Sequence, residues 1–214
     1  MVYLESIIKS GLFYEIAPAD YKNAYHELEL GMKSFNKGNL IFNEGDVIDH
    51  ICIVESGSVR CQKHGEDTIT QLYYSNEFFG LESVMSEEKR TIMDYISHED
   101  TNVLLIPIDA IMNSVFSNEF KKSLIHKLAV SNEDRLKKIN LLVHRTLRER
   151  ILIFLENEFS RSREAGHELV VKMNQEQLAN YLCVNRSALS QELNKMKREK
   201  IIDFNKDEFR ITKK

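Results

Sequence analysis

The spacing of the apolar residues changes twice along this chain, and the change limits the folds that it can adopt. Residues 1–34 have helical spacing, whereas residues 35–110 contain short β-prone runs separated by glycines at positions 38, 45, 57, 65 and 80. After Pro107 the helical spacing returns. Short strands at this density of turn signals predict a sandwich or barrel-like roll. We therefore expect an α+β fold in which a few helices and an N-terminal β-roll are followed by a helical C-terminal half.

A long helix is predicted over residues 118–143, because apolar residues recur there at steps of three and four. At about 1.5 Å per residue it would be about 39 Å long, more than is needed to cover a small roll. The stripe is narrow and has charged flanks, which is typical of a coiled coil, although a stripe that packs only within its own subunit has the same spacing. We expect the helix to pair with its copy in a homodimer through Leu124, Leu128, Arg135, Ile139 and Leu142.

The C-terminal third contains the most specific pattern. It predicts, in order, a strand, two helices and a hairpin, over residues 169–173, 175–182, 186–199 and 201–212. Asn174 stands where a helix N-cap belongs and Gln177 follows three residues later, which is a capping box in amide form. The inner face of the two helices is apolar, with the small Ala179 where they approach most closely. This order of elements predicts a winged helix-turn-helix.

The outward face of the second of these helices carries an arginine and short polar side chains. Arginine can bond the edge of guanine, Gln and Asn can bond adenine, and Ser reaches either base. An ordinary solvated helix face has a similar composition, but the apolar inner face, the hairpin and the local positive charge all agree with DNA binding. We predict base reading by Arg186, Ser187, Ser190 and Gln191, and phosphate contacts by Asn174, Gln175, Lys195 and Lys197.

The formal net charge of −4 is unusual for a DNA-binding chain, but the charge is unevenly distributed. Residues 171–214 carry ten Lys and Arg against six Asp and Glu, a net charge of +4, and residues 1–170 carry 19 against 27, a net charge of −8. The protein is thus an acidic body with a basic C-terminal part. No apolar run approaches the roughly 18 residues of a membrane helix, and no signal-peptide pattern is present, so we expect a cytoplasmic protein without a membrane partner.

On these residues the chain resembles the Crp–Fnr family of bacterial transcription regulators over nearly its whole length. The resemblance is carried by segments of that family's cyclic-nucleotide-binding roll and of its two DNA-reading helices, at residues 38–46, 51–59, 77–80, 178–182 and 185–193. It implies an effector-sensing β-roll with N-terminal helices, a dimerisation helix with a hinge, and a DNA-binding winged domain, over residues 1–116, 117–145 and 146–214.

The resemblance also implies how such a protein works. One reading helix from each subunit of a homodimer would enter double-stranded DNA at an inverted repeat, with half-site centres roughly 34–36 Å apart. An effector in the roll would shift the balance between two domain arrangements, and RNA polymerase is a further expected partner. Of the family's commonest Arg, Glu and Arg, at the positions of Arg186, Ser187 and Gln191, only the first is present, so the usual half-site does not follow. A small-molecule sensor that acts through protein partners instead of DNA is the alternative.

The effector region departs from the family pattern. Cyclic-nucleotide binders have glutamate directly after the glycine of this region, whereas here it stands one place late; the Arg-Thr pair that follows matches their phosphate-binding pair. An arginine and a leucine stand where cyclic-AMP binders offer small hydroxyl residues on the long helix. We expect no obligatory cofactor, and an effector other than cyclic AMP or none. The candidate pocket comprises Gly80, Leu81, Glu82, Arg90, Thr91, Arg135 and Leu136.

Two of the three cysteines form a candidate redox pair. If Ser56 and Gly57 make a two-residue turn, Cys52 and Cys61 stand opposite each other at non-hydrogen-bonded positions. Such Cα atoms lie about 4.5 Å apart, at the short end of the disulfide range of about 4.4–6.8 Å. Two reduced, half-buried thiols are the alternative. Cys183, between the two reading helices, is expected to be structural.

Metal and catalytic sites are not indicated. Three cysteines cannot supply the four ligands of an iron–sulfur cluster within one chain. The histidines are scattered, and His98 in the roll, as a ligand of haem, is the alternative that remains open. Because no HExxH, GxSxG or P-loop spacing appears, we expect neither an enzyme nor a metal site.

Overall fold

A computed structural model describes residues 2–65, 69–164, 171–172, 174–205 and 208–211. The chain forms two compact units, Met1–Asn132 and Glu133–Lys214, which are described in turn. The long helix α5, Ser117–Val143, has residues in both units and confirms the helix predicted over residues 118–143. The α+β fold is also confirmed. The division of the chain into sensing, dimerising and DNA-binding parts stays a prediction about roles.

The N-terminal segment is helical over less of its length than its apolar spacing indicates. Helix α1, Leu4–Ser10, ends at Gly11, and helix α2, Tyr21–His26, follows a 3₁₀ turn at Pro18–Asp20. The prediction of helix as far as residue 34 is wrong, because Gly31–Phe35 form strand β1. This strand pairs antiparallel with the last strand of the roll, and that long-range pairing overrides the local spacing.

The roll consists of two four-stranded antiparallel sheets. Its remaining strands are β2 Leu40–Phe42, β3 His50–Ser56, β4 Ser58–Gln62, β5 Ile69–Tyr74, β6 Phe78–Phe79, β7 Asp94–Ser97 and β8 Thr101–Pro107. One sheet has the order β1-β8-β3-β6 and the other the order β2-β7-β4-β5. A single apolar core contains side chains from both sheets and from α1 and α5. Two short helices complete the unit, α3 Leu81–Val84 and α4 Ile108–Asn113.

Gly57 is a corner between the two sheets and not the turn of a hairpin. Its φ is +81°, and a β-carbon there would collide with the carbonyl oxygen of Asp100. Strand β3 pairs with β6 and β8, whereas β4 pairs with β5 and β7. The predicted opposition of Cys52 and Cys61 is therefore wrong. A corner between sheets and a two-residue hairpin turn both favour glycine at positive φ, and the local sequence does not separate them.

Helix α5 has a packed side and an exposed side. Of the residues predicted for the dimer contact, Leu124 is 1% exposed and Leu128 packs against the same core, that of the first unit. Leu142 packs against the core of the second unit. The dimer prediction is therefore wrong for Leu124, and the other two leucines already pack within the subunit, whereas Arg135 and Ile139 are exposed. A spacing of three and four residues identifies an apolar stripe on a helix, but it does not show whether the stripe packs within the subunit or against a partner.

The second unit has the predicted order of elements. Its helices and strands are α6 Leu147–Glu164, β9 Val171–Lys172, α7 Gln175–Tyr181, α8 Arg186–Arg198, β10 Ile202–Asn205 and β11 Glu208–Ile211. Strand β11 lies between β10 and β9, so the hairpin forms the predicted wing. Parts of the predicted strand and of the hairpin loop, at residues 169–170, 173, 206–207 and 212, lie outside the described residues. Within the described part of the chain, no helix is long and apolar enough to cross a bilayer.

Candidate DNA-binding surface

Helix α7 begins with the predicted capping box. The N–H of Gln177 donates to Oδ1 of Asn174 at 2.8 Å, and the N–H of Asn174 donates to Oε1 of Gln177 at 2.9 Å. Two amide groups that the helix itself leaves unpaired are satisfied in this way. Asn174 is exposed and Gln175 is half-buried, so both predicted phosphate-contacting residues lie at the accessible start of the helix.

The turn between α7 and α8 is closed by backbone hydrogen bonds. The N–H of Cys183 donates to the carbonyl of Asn180 at 3.1 Å, and the N–H of Val184 donates to the carbonyl of Ala179 at 3.0 Å. Cys183 has a φ of +52°, in the left-handed region that favours glycine, while its thiol is exposed. The backbone at this position therefore makes the turn, as expected for a residue with a structural role.

Asn185 directly precedes helix α8 and caps its N-terminus. Its Oδ1 accepts hydrogen bonds from the N–H of Ser187 at 2.8 Å and from the hydroxyl of Ser187 at 2.7 Å. Arg186, between these two residues, is exposed. Ser187 keeps hydroxyl lone pairs with which it can accept a hydrogen bond from a base.

The two sides of α8 differ sharply. Leu189, Leu193 and Met196 are buried in the core of the second unit. On the other side Gln191 is exposed and Ser190 is half-buried, and Nδ2 of an exposed asparagine one turn later donates to the Ser190 carbonyl at 2.8 Å. All four predicted base-reading residues therefore lie on α8 and outside its buried stripe.

The two lysines predicted to contact phosphate differ in their surroundings. Lys195 is exposed. The ammonium of Lys197 forms an ion pair with Oδ1 of Asp203 at 2.7 Å and donates to the carbonyl of Phe204 at 2.8 Å. It also lies 5.1 Å from the centre of the Phe204 ring. Lys197 thus fastens the wing to α8, and a phosphate contact from this residue stays a prediction.

A charged cluster between α6 and α8 was not found from the sequence. Nε of Arg148 donates to Glu192 at 2.7 Å, and its two terminal nitrogens donate to the two oxygens of Glu199 at 2.7 and 3.1 Å. These bonds raise the pKa of Arg148 and lower that of Glu199. The seven-residue spacing of the two glutamates places them on one side of α8, but nothing in the sequence points to their partner on α6.

The residues predicted for the effector pocket have several kinds of surroundings. Gly80 has a φ of +73° and begins α3, and a β-carbon there would come within 2.5 Å of Cδ1 of Ile48. Leu81 is buried in the core of the first unit. Glu82 is half-buried, and its carboxylate accepts a hydrogen bond from the hydroxyl of Ser131 on α5 at 3.5 Å. Among these three residues, only Glu82 offers a charged group to a ligand.

The predicted phosphate-binding pair makes hydrogen bonds to the turn between β2 and β3. Arg90 donates through a terminal guanidinium nitrogen to the carbonyl of Gly45 at 2.7 Å. The buried hydroxyl of Thr91 donates to the carbonyl of Asn43 and lies 3.4 Å from that of Asp46. Both side chains thus have local structural partners. Arg135 and Leu136 are exposed on the part of α5 that belongs to the second unit, and a pocket formed by these residues stays a prediction.

The interior of the roll contains a group of aromatic rings that sequence reasoning missed. The rings of Tyr73, Phe79 and Tyr95 have centres 5.2–6.2 Å apart. Burial raises the pKa of Tyr95, and the nearby Tyr73 and Cys61 add to the effect. The only sequence signal was β-propensity, which predicts the strands but not the meeting of rings across the sheets.

The cysteines of the roll do not have the environment of reactive thiols. Cys52 and Cys61 are both buried. Burial raises the pKa of Cys52 well above its ordinary value, which disfavours the thiolate that redox chemistry uses. Among the described residues, no group of three or more His, Cys, Asp or Glu side chains is placed to hold a metal ion.

Taken together, the second unit is a winged helix-turn-helix that exposes the polar face of α8, and the first unit is a β-roll. The family model of the cyclic nucleotide-binding domain matches residues 32–118, and that of the Crp-like helix-turn-helix domain matches residues 145–214. Between them the two models account for most of the chain, in the order that the fold shows. The chain belongs to the Crp–Fnr family of transcription regulators and is a DNA-binding regulator, in a family whose members are not enzymes.

Individual relatives agree with this assignment. The chain is 24% identical to the transcriptional activator protein Anr of Pseudomonas protegens over 84% of its own length and 76% of that protein. It is 24% identical to the transcriptional activator protein FnrA of Stutzerimonas stutzeri over 84% and 75% of the two chains. Its fold resembles that of a CooA mutant from Carboxydothermus hydrogenoformans, with a TM-score of 0.66, 20% identity and coverage of 88% and 86%. FixK2 of Bradyrhizobium japonicum has a TM-score of 0.64 at 18% identity, with coverage of 87% and 94%.

Proposed function

We propose that the protein acts as a cytoplasmic homodimer that reads an inverted repeat in DNA through α8 and is controlled by a small-molecule effector bound in the roll. The observation that carries this proposal is the division of α8 into a buried apolar side and an accessible side with Arg186, Ser187, Ser190 and Gln191. These are side-chain types that bond base edges in the major groove. RNA polymerase is the further partner that we propose, by analogy with relatives named as transcriptional activators.

The exposed side of α5 supports the homodimer. Five large apolar side chains of α5 are solvent-exposed, and the four most exposed are Ile125 by 65%, Leu136 by 57%, Ile139 by 60% and Val143 by 73%. Together with the exposed Ala129 and Asn132 these four follow one another at alternating steps of four and three residues. This is the spacing of a coiled-coil seam, in which each knob inserts into a partner helix. We call these six residues the α5 seam, and we propose a second copy of the same helix as its partner.

The effector is proposed to be something other than cyclic AMP. Thr91 already donates its hydroxyl to the carbonyl of Asn43, and the guanidinium of Arg90 bonds the carbonyl of Gly45. A cyclic phosphate would have to displace both of these hydrogen bonds, so an effector without such an anion suits this region better.

Selection of bound fragments from a random pool of double-stranded DNA tests the proposal. The expected result is an inverted repeat with half-site centres roughly 34–36 Å apart. Affinity for it should fall steeply as salt concentration rises, because phosphate contacts release counterions. Enrichment of no sequence, by a protein shown to be folded and dimeric, would overturn the proposal. Repeating the selection with candidate small molecules then tests the effector.

A further inference from the structure

Arg148 on α6 makes three hydrogen bonds to two glutamates along one flank of α8. Its guanidinium donates once to Glu192 and twice to Glu199, with all three distances between 2.7 and 3.1 Å. A guanidinium has a fixed planar fork of donors, so it can hold two carboxylates in one definite arrangement. We call these three residues the Arg148 clamp.

The clamp lies beside the base-reading residues but does not include them. At about 3.6 residues per turn, positions seven apart on a helix differ by only about 20° in direction, so Glu199, which directly follows α8, continues the flank on which Glu192 lies. The same period places Arg186 and Ser190 on a different side of the helix, and Gln191 directly precedes Glu192 in the chain. A bond at Glu192 and a second bond two turns further on oppose rotation of α8 about its axis and sliding of α8 along α6.

The clamp adds a directional restraint to the apolar packing of α8. Leu189, Leu193 and Met196 hold α8 against the core, and the stabilisation from burying apolar area is not directional, whereas the hydrogen bonds of the guanidinium are. The bond to Glu192 is partly shielded, with exposed side-chain fractions of 30% for Arg148 and 23% for Glu192, whereas Glu199 is exposed. Partial burial weakens screening by solvent and strengthens the bond between Arg148 and Glu192.

We propose that Arg148 is a positioning residue that fixes the rotation of α8, and thereby the base preference of the protein, without touching DNA. The inference rests on the proposed DNA-binding function, because it concerns how well α8 presents its reading side chains. A positional error of about 1 Å is enough to weaken a bidentate contact to a base, since such contacts need near-ideal distances and angles. The clamp should therefore affect discrimination between sequences more than overall affinity.

The test uses Arg148→Lys in the full-length dimer, with the inverted repeat selected by the wild type. Lysine keeps the positive charge but lacks the fork that bonds both glutamates at once. We expect the affinity ratio between the selected site and sites with one changed base pair to fall by about fivefold, a part of what one bidentate base contact supplies. Affinity for random DNA and its salt dependence should stay as in the wild type, because the charge is unchanged.

Arg145→Lys is the matched control, since Arg145 is exposed nearby on the chain and lies outside the clamp. It should leave discrimination unchanged. If Arg148→Lys is unstable at the assay temperature, the variant Glu192→Gln with Glu199→Gln weakens the same bonds while keeping similar shapes, and the same loss of discrimination is expected. An unchanged ratio in a folded clamp variant would overturn the inference and leave DNA binding intact. A wild type that selects no sequence would instead contradict the proposed function itself.

Discussion

The two compact units of this protein use their polar side chains in different ways. In the first unit, the Arg and Thr that match a phosphate-binding pair donate hydrogen bonds to the protein's own backbone, at the carbonyls of Gly45 and Asn43. In the second unit, some polar side chains cap helices or form hydrogen bonds with Arg148, while Arg186 and Gln191 remain exposed. Both units keep the fold of their family. The comparison shows that the predicted phosphate-binding pair already has partners within the protein, whereas the predicted base-reading arginine and glutamine are exposed.

The distribution of charge follows the same division. Residues 1–132 carry 11 Lys and Arg against 20 Asp and Glu, a net charge of −9, and residues 133–214 carry 18 against 13, a net charge of +5. An acidic roll adds nothing to attraction for phosphates, so non-specific affinity must come from the second unit.

The largest effect is expected from the α5 seam. Ile139→Glu places two like charges at the proposed dimer contact, and because Ile139 is 60% exposed, the change should not affect folding of the subunit. We expect a monomer by analytical ultracentrifugation and a loss of affinity for the inverted repeat of about 100-fold or more, since two linked half-site contacts exceed one by 10²–10⁴. Val115→Glu, at an exposed valine outside α5, should leave both properties unchanged. A dimeric Ile139→Glu protein would place the contact elsewhere.

A smaller effect is expected from Thr91 in the roll. Thr91→Val keeps the shape of the side chain but removes the hydroxyl that donates to Asn43. We expect the free energy of unfolding in urea to fall by about 1–2 kcal/mol, as is usual for the loss of a buried hydrogen bond. Thr91→Ser, which keeps the hydroxyl, should lie closer to the wild type. A Val variant as stable as the wild type would show that this hydrogen bond contributes nothing to stability and would contradict a structural role for the hydroxyl.

A substitution in the turn between α7 and α8 is expected to raise the free energy of unfolding. Cys183 has a φ of +52°, so Cys183→Gly should relieve an unfavourable backbone conformation and raise the free energy of unfolding by about 0.5–1 kcal/mol. Cys183→Ala keeps a β-carbon and should give no such gain. Thermal and urea unfolding of the three proteins distinguish these outcomes, and equal stability of the Gly and Ala variants would argue against strain at this position.

The smallest effect is the pH dependence of the Arg148 clamp. The hydrogen bond from Arg148 lowers the pKa of Glu199 below its ordinary value of 4.5. A group with a lowered pKa in the folded state contributes stability above its unfolded pKa and loses it as the pH falls through the folded pKa. The stability difference between the wild type and Glu199→Gln should therefore be constant from pH 7 to about 5.5 and narrow below pH 4.5. A difference that grows on acidification would contradict this assignment.

Local spacing predicted most of the elements, because helix periodicity, caps and turn residues act over a few positions. The bounds of α8 and the capping box at Asn174 follow from such signals. The errors arose where distant partners decide the structure. Gly57 turns the chain from one sheet to the other, Leu124 packs on the roll and not in the seam, and the partner of Glu192 and Glu199 lies on another helix.

The central claim is that α8 reads DNA in a symmetric dimer, and selection of DNA by Arg186→Ala tests it most directly. Arg186 is exposed at the start of α8, so its removal should not disturb the core. We expect preference to relax at one base pair in each half of the inverted repeat, at a cost of about 1–3 kcal/mol in discrimination per contact. A selected sequence identical to that of the wild type, with no loss of preference at any position, would contradict the account.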